Sequence, residues 1–166
     1  MMNKKGEIKM ARNIVKFEDV PGSALRYKNF AGKAGTYNNE GERSFCLAVD
    51  EETAADLRAD GFNVRERRRT NDDGEEDVLL YLPIKVNMNS RRPPQINQIT
   101  RAGGIAHLNE ESIGELDWAD IVKASISISP YNWIYGNKSG TSAYLQELLV
   151  EIEDESFVSK YMHNND

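Results

Sequence analysis

Ile121-Val-Lys-Ala-Ser-Ile-Ser-Ile-Ser129 decides the fold class of this 166-residue chain. Val122, Ala124, Ile126 and Ile128 fall at every second position, with Ile121, Lys123, Ser125, Ser127 and Ser129 between them. A period of two marks a strand with one buried face, because successive side chains on a pleated backbone point to opposite sides. Pro130 interrupts the run and Tyr131-Asn-Trp-Ile-Tyr135 continues it. Gly136-Asn-Lys-Ser-Gly140 then reads as a hairpin turn and Thr141 to Ile152 as a long returning strand.

The stretches upstream repeat this grammar. Asn13 to Phe17, Ala24 to Phe30 and Ser44 to Val49 read as strands, with a turn at Asp19-Val-Pro-Gly22 and a mobile glycine- and asparagine-rich loop from Gly32 to Gly41. Asp50 to Asp60 is the clearest helix: Asp50 can cap it, Glu51 and Glu52 suit its positive end, and Gly61 stops it. Phe62 and Val64 start a strand that runs into Arg65 and Arg67-Arg68-Arg69, turns at the acidic Asn71 to Asp77 around Gly74, and returns as Val78 to Met88. Pro83 places that return strand at an edge or a bulge, because proline cannot donate to a ladder. Asn89 to Pro94 is a loop with Arg91 and Arg92, Gln95 to Thr100 a short strand, Gly103-Gly104 a break, and Leu108 to Leu116 a short turn or helix capped by Asn109.

Many short strands, glycine-rich turns and one or two short helices indicate a mostly β barrel or sandwich. A strand, helix, strand insertion in a barrel fits an elaborated OB-fold. With no repeat and no linker, the chain divides into a frayed polar N-terminus (1–10), one domain (11–152) and an acidic tail (153–166) with a helical pattern around Phe157 to Met162.

The net charge of −6 is unevenly spread. Residues 1–101 hold 18 Lys/Arg against 16 Asp/Glu, a net of +2; residues 102–166 hold 3 against 11, a net of −8. Either a basic binding face sits beside an acidic end, or an ordinary acidic protein has clustered its charge. The single Cys46 can form no internal disulfide and suits a reducing cytoplasm. Lys4, Lys5 and Lys9 precede no apolar signal region, and no apolar run approaches the ~20 residues of a membrane span.

Catalytic signatures are weak. His107, in an expected loop, and His163 are the two histidines, which with one cysteine leaves no familiar zinc spacing. No phosphate-binding or dinucleotide fingerprint occurs. Asp72 to Asp77 lacks the ligand spacing of a calcium loop and reads as a solvated hairpin tip. Glu110, Glu111, Glu115, Asp117 and Asp120 have no lysine at a recognisable interval for nuclease chemistry. No cofactor is implied, and the expectation is a binding protein rather than an enzyme.

Binding signals are stronger. In residues 26–45 the rings of Tyr27, Phe30, Tyr37 and Phe45 alternate with Arg26, Lys28, Lys33 and Arg43, with Phe45 expected to be buried. Rings that stack on bases beside cations that meet phosphates are what a single-stranded nucleic-acid groove needs. Tyr131, Trp133 and Tyr135 share one strand face, as a stacking platform or as a core wall. Acids at 72–77 can neutralise Arg65 and Arg67 to Arg69 across the hairpin, whereas Arg91 and Arg92 have no acidic neighbour in sequence and are the better phosphate contacts.

The run from Tyr27 to Phe45, the acidic helix with Gly61-Phe-Asn-Val64, Leu116-Asp-Trp-Ala-Asp120, Ile128-Ser-Pro-Tyr-Asn-Trp133 and Gly140-Thr-Ser-Ala-Tyr-Leu145 together resemble bacteriophage single-stranded DNA-binding proteins. The resemblance covers most of residues 24–162. It implies an OB-fold, no enzymatic activity, and protection of single strands in phage replication or recombination, in the host cytoplasm. Carried over, Lys28, Asn29, Phe30, Lys33, Tyr37 and Arg43 with Tyr131 and Trp133 would line the DNA groove, and Arg91 and Arg92 would add phosphate contacts. A departure lies in the tail, where Tyr161 to Asp166 is only weakly acidic, so recruitment of replication or recombination proteins would fall to Glu151 to Glu155. Homo-oligomerisation stays open. The alternatives are a protein-interaction module, such as a phage inhibitor or replisome adaptor, that uses the acidic C-terminal third, and a small metal-dependent nuclease.

Overall fold

The computed structural model describes residues 14–36, 38–100 and 102–153. The N-terminal segment 1–13, Tyr37, Arg101 and the tail from 154 to 166 lie outside the described residues, and with them most of the expected acidic tail.

Among the described residues nine strands form one sheet. In chain order they are β1 (Val15–Pro21), β2 (Leu25–Asn29), β3 (Arg43–Val49), β4 (Arg65–Thr70), β5 (Glu76–Val86), β6 (Gln95–Thr100), β7 (Ile105–Leu108), β8 (Ile121–Tyr135) and β9 (Lys138–Ile152). The one α-helix among the described residues, α1 (Glu51–Ala59), connects β3 to β4, and 3-10 turns cover Gly22–Ala24 and Ile113–Asp117. The path runs β1-β8-β9-β5-β3-β2, with β4 added to β5 and the β6–β7 hairpin added to β9. The sheet curls into a half-barrel, so the mostly β expectation with one or two short helices holds.

β9 is the branch point. One side pairs with β8 along its length; the other pairs in parallel with β6 at its C-terminal half and with β5 at Ala143 and Tyr144. Two bulges bend this long ribbon, as an extra residue on one strand does. The pairing skips Val122 in β8 and Gln146 in β9. Each skip reverses the parity of the buried positions, so Ala143 and Leu145 give way to Leu148 and Val150 on the core side. The expected alternation from Ile121 therefore starts late: Val122 is turned out and Ile121 packs against the core.

Other boundaries move for similar reasons. β1 continues through Asp19 to Pro21, past a bulge where Asp19 takes φ 53°, and the turn falls at Gly22–Ala24. Lys138 to Gly140 belong to β9, because the hairpin closes in two residues with Gly136 at φ 61°. His107 lies on β7 rather than in a loop, paired with Asn97. Pro83 sits where β4 has ended at Tyr81 and β9 begins pairing at Ile84, a locally open edge of an interior strand.

The core takes one face of most strands, whereas β4 is exposed along its length. Phe45 and Leu47, Leu82, Ile84 and Val86, Ala124, Ile126 and Ile128 are buried, with Ile113 and Leu116 closing one end. Phe30 stacks on Phe45 at 5.1 Å between centroids and is fully buried. The opposite face of these strands is more open, and Tyr131, Trp133, Tyr144 and Lys85 stand on it.

Candidate nucleic-acid interface

Most of the expected contact residues between 28 and 43 serve the scaffold. Phe30 is 0% exposed, so its ring cannot stack on a base. Its burial follows from how the chain is pinned: the Asp117 carboxylate accepts the Phe30 N–H (2.7 Å) and the Ala31 N–H (3.0 Å). Lys28 Nζ donates to the Leu116 carbonyl (3.1 Å). Asn29 closes the next turn, donating through Nδ2 to Lys33 O (3.0 Å) and accepting the Lys33 N–H at Oδ1 (2.9 Å). Arg43, with a side chain only 10% exposed, donates to the Phe30 carbonyl through Nε (2.9 Å) and faces the Glu110 carboxylate at 3.9 Å. A guanidinium so engaged is structural and is not free to take a phosphate. The loop expected to be mobile is crossed by hydrogen bonds, including Gly41 N–H to Gly32 O (2.7 Å) and Asn38 Nδ2 to Lys33 O (2.6 Å). Lys33 alone among these residues projects its cation outward, 5.3 Å from the ring centroid of Trp118, which is 77% exposed. Tyr37 lies outside the described residues.

The open face of the sheet is a different matter. Cross-strand partners share a face, so the register places Lys85 beside Tyr144, Tyr144 beside Ser129, Tyr131 beside Ser142, and Trp133 beside Gly140. Tyr131 meets Tyr144 edge-on (5.9 Å, 76°), and Lys85 Nζ lies 5.7 Å from the Tyr144 ring. Trp133 lies flat on β9 because residue 140 is glycine: a Cβ there would stand 2.7 Å from Trp133 Cζ2. The connection after α1 braces the base of this hairpin. Thr141 donates its N–H to Gly61 O (3.1 Å) and its hydroxyl to Asn132 Oδ1 (2.9 Å).

These rings line two adjoining hollows, the halves of a groove that meet at Tyr131 and Tyr144. One half is bounded by Arg65, Pro83, Lys85, Tyr131, Trp133 and Tyr144; the other runs from Tyr131 and Tyr144 to Arg92 and Pro94. Among the described residues no Asp or Glu lines either half, in a chain with 27 of them. Of the two loop arginines, both exposed, Arg92 borders the groove and Arg91 does not.

The β4 arginines divide by parity. Arg68 turns away and pairs with Glu66 (3.1 Å) and Glu76 (2.7 Å), the expected neutralisation by the hairpin. Arg65 and Arg67 stand opposite Tyr81 and Leu79 on the open face. Arg67 donates to the Tyr27 hydroxyl (2.7 Å). Sequence reasoning set Arg65 aside as neutralised by the hairpin acids and passed over Lys85 and Tyr144. The alternation within Arg65-Glu-Arg-Arg-Arg was the available signal for the first, whereas the other two are brought together only by a parallel pairing distant in sequence. Cys46, half-buried and opposite Pro83, has its thiol pushed up by burial, against the weaker pull of Arg65. His107 Nδ1 lies 3.1 Å from Asn97 Oδ1. Among the described residues no His, Cys, Asp or Glu cluster could hold a metal ion, and no helix is long and apolar enough to cross a membrane.

No curated protein sequence matches the chain. Solved structures of similar overall shape include the single-stranded DNA-binding protein from bacteriophage Enc34 in complex with ssDNA (13% identity, TM-score 0.48, covering 89% of this chain and 94% of that one). A C-terminally truncated form of the Enc34 protein matches at 12% identity and TM-score 0.46, covering 93% and 98%. Gp2.5, a single-stranded DNA-binding protein encoded by bacteriophage T7, matches at 13% identity and TM-score 0.39, covering 86% and 87%. The family model described as "Putative phage ssDNA-binding domain" matches residues 8–165, nearly the whole chain, and the protein belongs to that family.

Proposed function

We propose that this protein binds single-stranded DNA without strong sequence preference, covering and protecting it inside the infected cell during phage DNA replication or recombination, and carries out no chemistry of its own. The observation that supports this reading is the acid-free groove in which Tyr131, Trp133 and Tyr144 stand beside Arg65, Lys85 and Arg92. Each base stacked on an aromatic ring contributes about 1–3 kcal/mol, so two or three rings give useful affinity, and every base has a face to stack. The cations follow the phosphates and release their counterions, which makes binding fall with salt. Lys33 beside Trp118 offers a separate cation and ring on the same principle.

Fluorescence anisotropy with labelled oligo-dT over a salt series tests the reading. The expected result is tight binding at low salt that weakens linearly in log–log form, by about 0.7 per phosphate neutralised. Tryptophan quenching in a Trp118→Phe background isolates Trp133, which should lose emission when the strand is added. No binding at low salt would refute the proposal.

A further inference from the structure

We propose that Tyr27, Arg67 and Arg69 form a second nucleotide subsite at the far end of the same face, so that a strand held in the Tyr131–Lys85 groove continues across Arg65 and Tyr81 to reach it. This inference rests on the single-stranded DNA reading above and extends it to the path and length of the bound strand.

Three observations carry it. The register puts Arg65, Arg67 and Arg69 opposite Tyr81, Leu79 and Asp77, on the side of β5 that also bears Lys85. The second cluster is therefore in line with the groove and not on another surface. The backbone of Tyr27 is also unusual. It takes φ 52° within the irregularity of β2 between Arg26 and Asn29, a conformation that costs a residue with a Cβ. The result is a ring 48% exposed on the open face, held edge-on by Tyr81 (5.5 Å, 62°) and from the side by Arg67. Nothing in the core needs that ring, so the strained turn serves to display it. The third observation is spare donor capacity. Arg67 gives one N–H to the Tyr27 hydroxyl, and among the described residues the Arg69 side chain makes no hydrogen bond or ion pair. Among the described residues Asp77 is the one carboxylate lining this hollow, against Arg26, Arg67 and Arg69. A phosphodiester between Arg67 and Arg69 with its base on Tyr27 uses all three groups.

The distance sets a testable length. Leu79 to Lys85 is six residues of strand, about 20 Å. At about 3.4 Å per stacked nucleotide that is about six nucleotides between the two subsites. A strand of about 4 nucleotides can fill the groove alone, whereas one of about 12 can reach both sites.

The experiment compares oligo-dT of those two lengths on the full chain, by anisotropy, for wild type, Tyr27→Gly and the pair Arg67→Gln/Arg69→Gln. Glycine suits the positive φ, so Tyr27→Gly removes the ring without straining the turn, and thermal melts confirm the fold. The short strand should bind all three proteins alike. The long strand should bind wild type more tightly and lose at least about fivefold on either variant, the scale of one stacked base. In the arginine pair its salt slope should also fall by about 0.7, the loss of one phosphate contact. Folded variants that both hold the long strand as wild type does would overturn the subsite and leave the groove intact. Wild type that binds neither length would instead overturn the underlying reading.

Discussion

The segment from Asn29 to Arg43 and the strip from Tyr131 to Tyr144 are both rich in rings and polar or charged groups, yet the fold uses them in opposite ways. In the first, Phe30 is buried against Phe45 and Arg43 is turned onto a backbone carbonyl. In the second, Tyr131 stands 59% exposed and Lys85 reaches the Tyr144 ring from the neighbouring strand. Both stretches mix rings with polar groups and glycines; what separates them is orientation. Asp117 decides the first case by capturing two backbone N–H groups and drawing Phe30 inward. Strand parity decides the second, because Ala143 and Leu145 fill the core and leave Tyr144 outside. A basic-aromatic stretch is thus a binding surface only after the core has taken the residues it needs.

The largest expected effect tests the inward half of this contrast. Phe30→Ala should destabilise the fold by about 3–5 kcal/mol in urea unfolding, the usual cost of truncating a buried aromatic. The fraction that stays folded should bind oligo-dT as wild type does. A variant of native stability that fails to bind DNA would reverse the assignment of Phe30.

Tyr131→Ala is the mirror experiment. The ring is mostly exposed and its described ring contact is with Tyr144, so stability should change by no more than about 0.5 kcal/mol. Affinity for oligo-dT should fall by about 1–3 kcal/mol, roughly 5- to 150-fold. If Tyr131→Ala instead unfolds the protein and spares binding in what remains, the strip belongs to the core after all.

A smaller effect separates the cations. Lys85→Gln should lower the salt slope of binding by about 0.7, the loss of one phosphate contact to a single strand. Arg91→Gln should leave the slope closer to wild type, because Arg91 does not line the groove and Arg92 does. Equal slopes for the two variants would remove the distinction drawn between groove and loop.

What was legible in the sequence depended on how local its cause is. The helix is set by Asp50, the acids behind it and Gly61, all within one short window, and its expected span differs from the observed one by a residue at each end. The alternation after Ala124 is equally local. The bulges at Val122 and Gln146 are not, since a bulge exists only relative to a partner strand. The candidate site divides in the same way. Tyr131 and Trp133 share a face by spacing alone, but Lys85 joins them only through the parallel pairing of β5 with β9. Phe30 and Arg43 were misread for a related reason: Asp117 and Glu110, which help fix them, lie 87 and 67 residues away.

The smallest expected effect falls outside both regions and serves as their control. Asp50 caps α1 by accepting the Thr53 N–H at 2.8 Å. Hydrogen bonds from Thr53, its side chain first and its backbone second, hold this carboxyl below its ordinary value of 3.8. A carboxyl whose folded value is depressed adds stability that is fully present above the unfolded value and is lost as pH falls through the folded one. Asparagine also caps well but carries no charge to meet the helix N-terminus. The melting temperature of wild type should therefore exceed that of Asp50→Asn slightly at neutral pH, and the margin should close in acid below the ordinary carboxylate range. A margin that persists unchanged into strong acid would show that the charge of Asp50 contributes nothing. DNA affinity should match wild type at neutral pH, because Asp50 lines neither half of the groove. A loss of binding on this substitution would mean that the interface reaches α1, and the contrast between an inward segment and an outward strip would then be too narrow a description of where the strand lies.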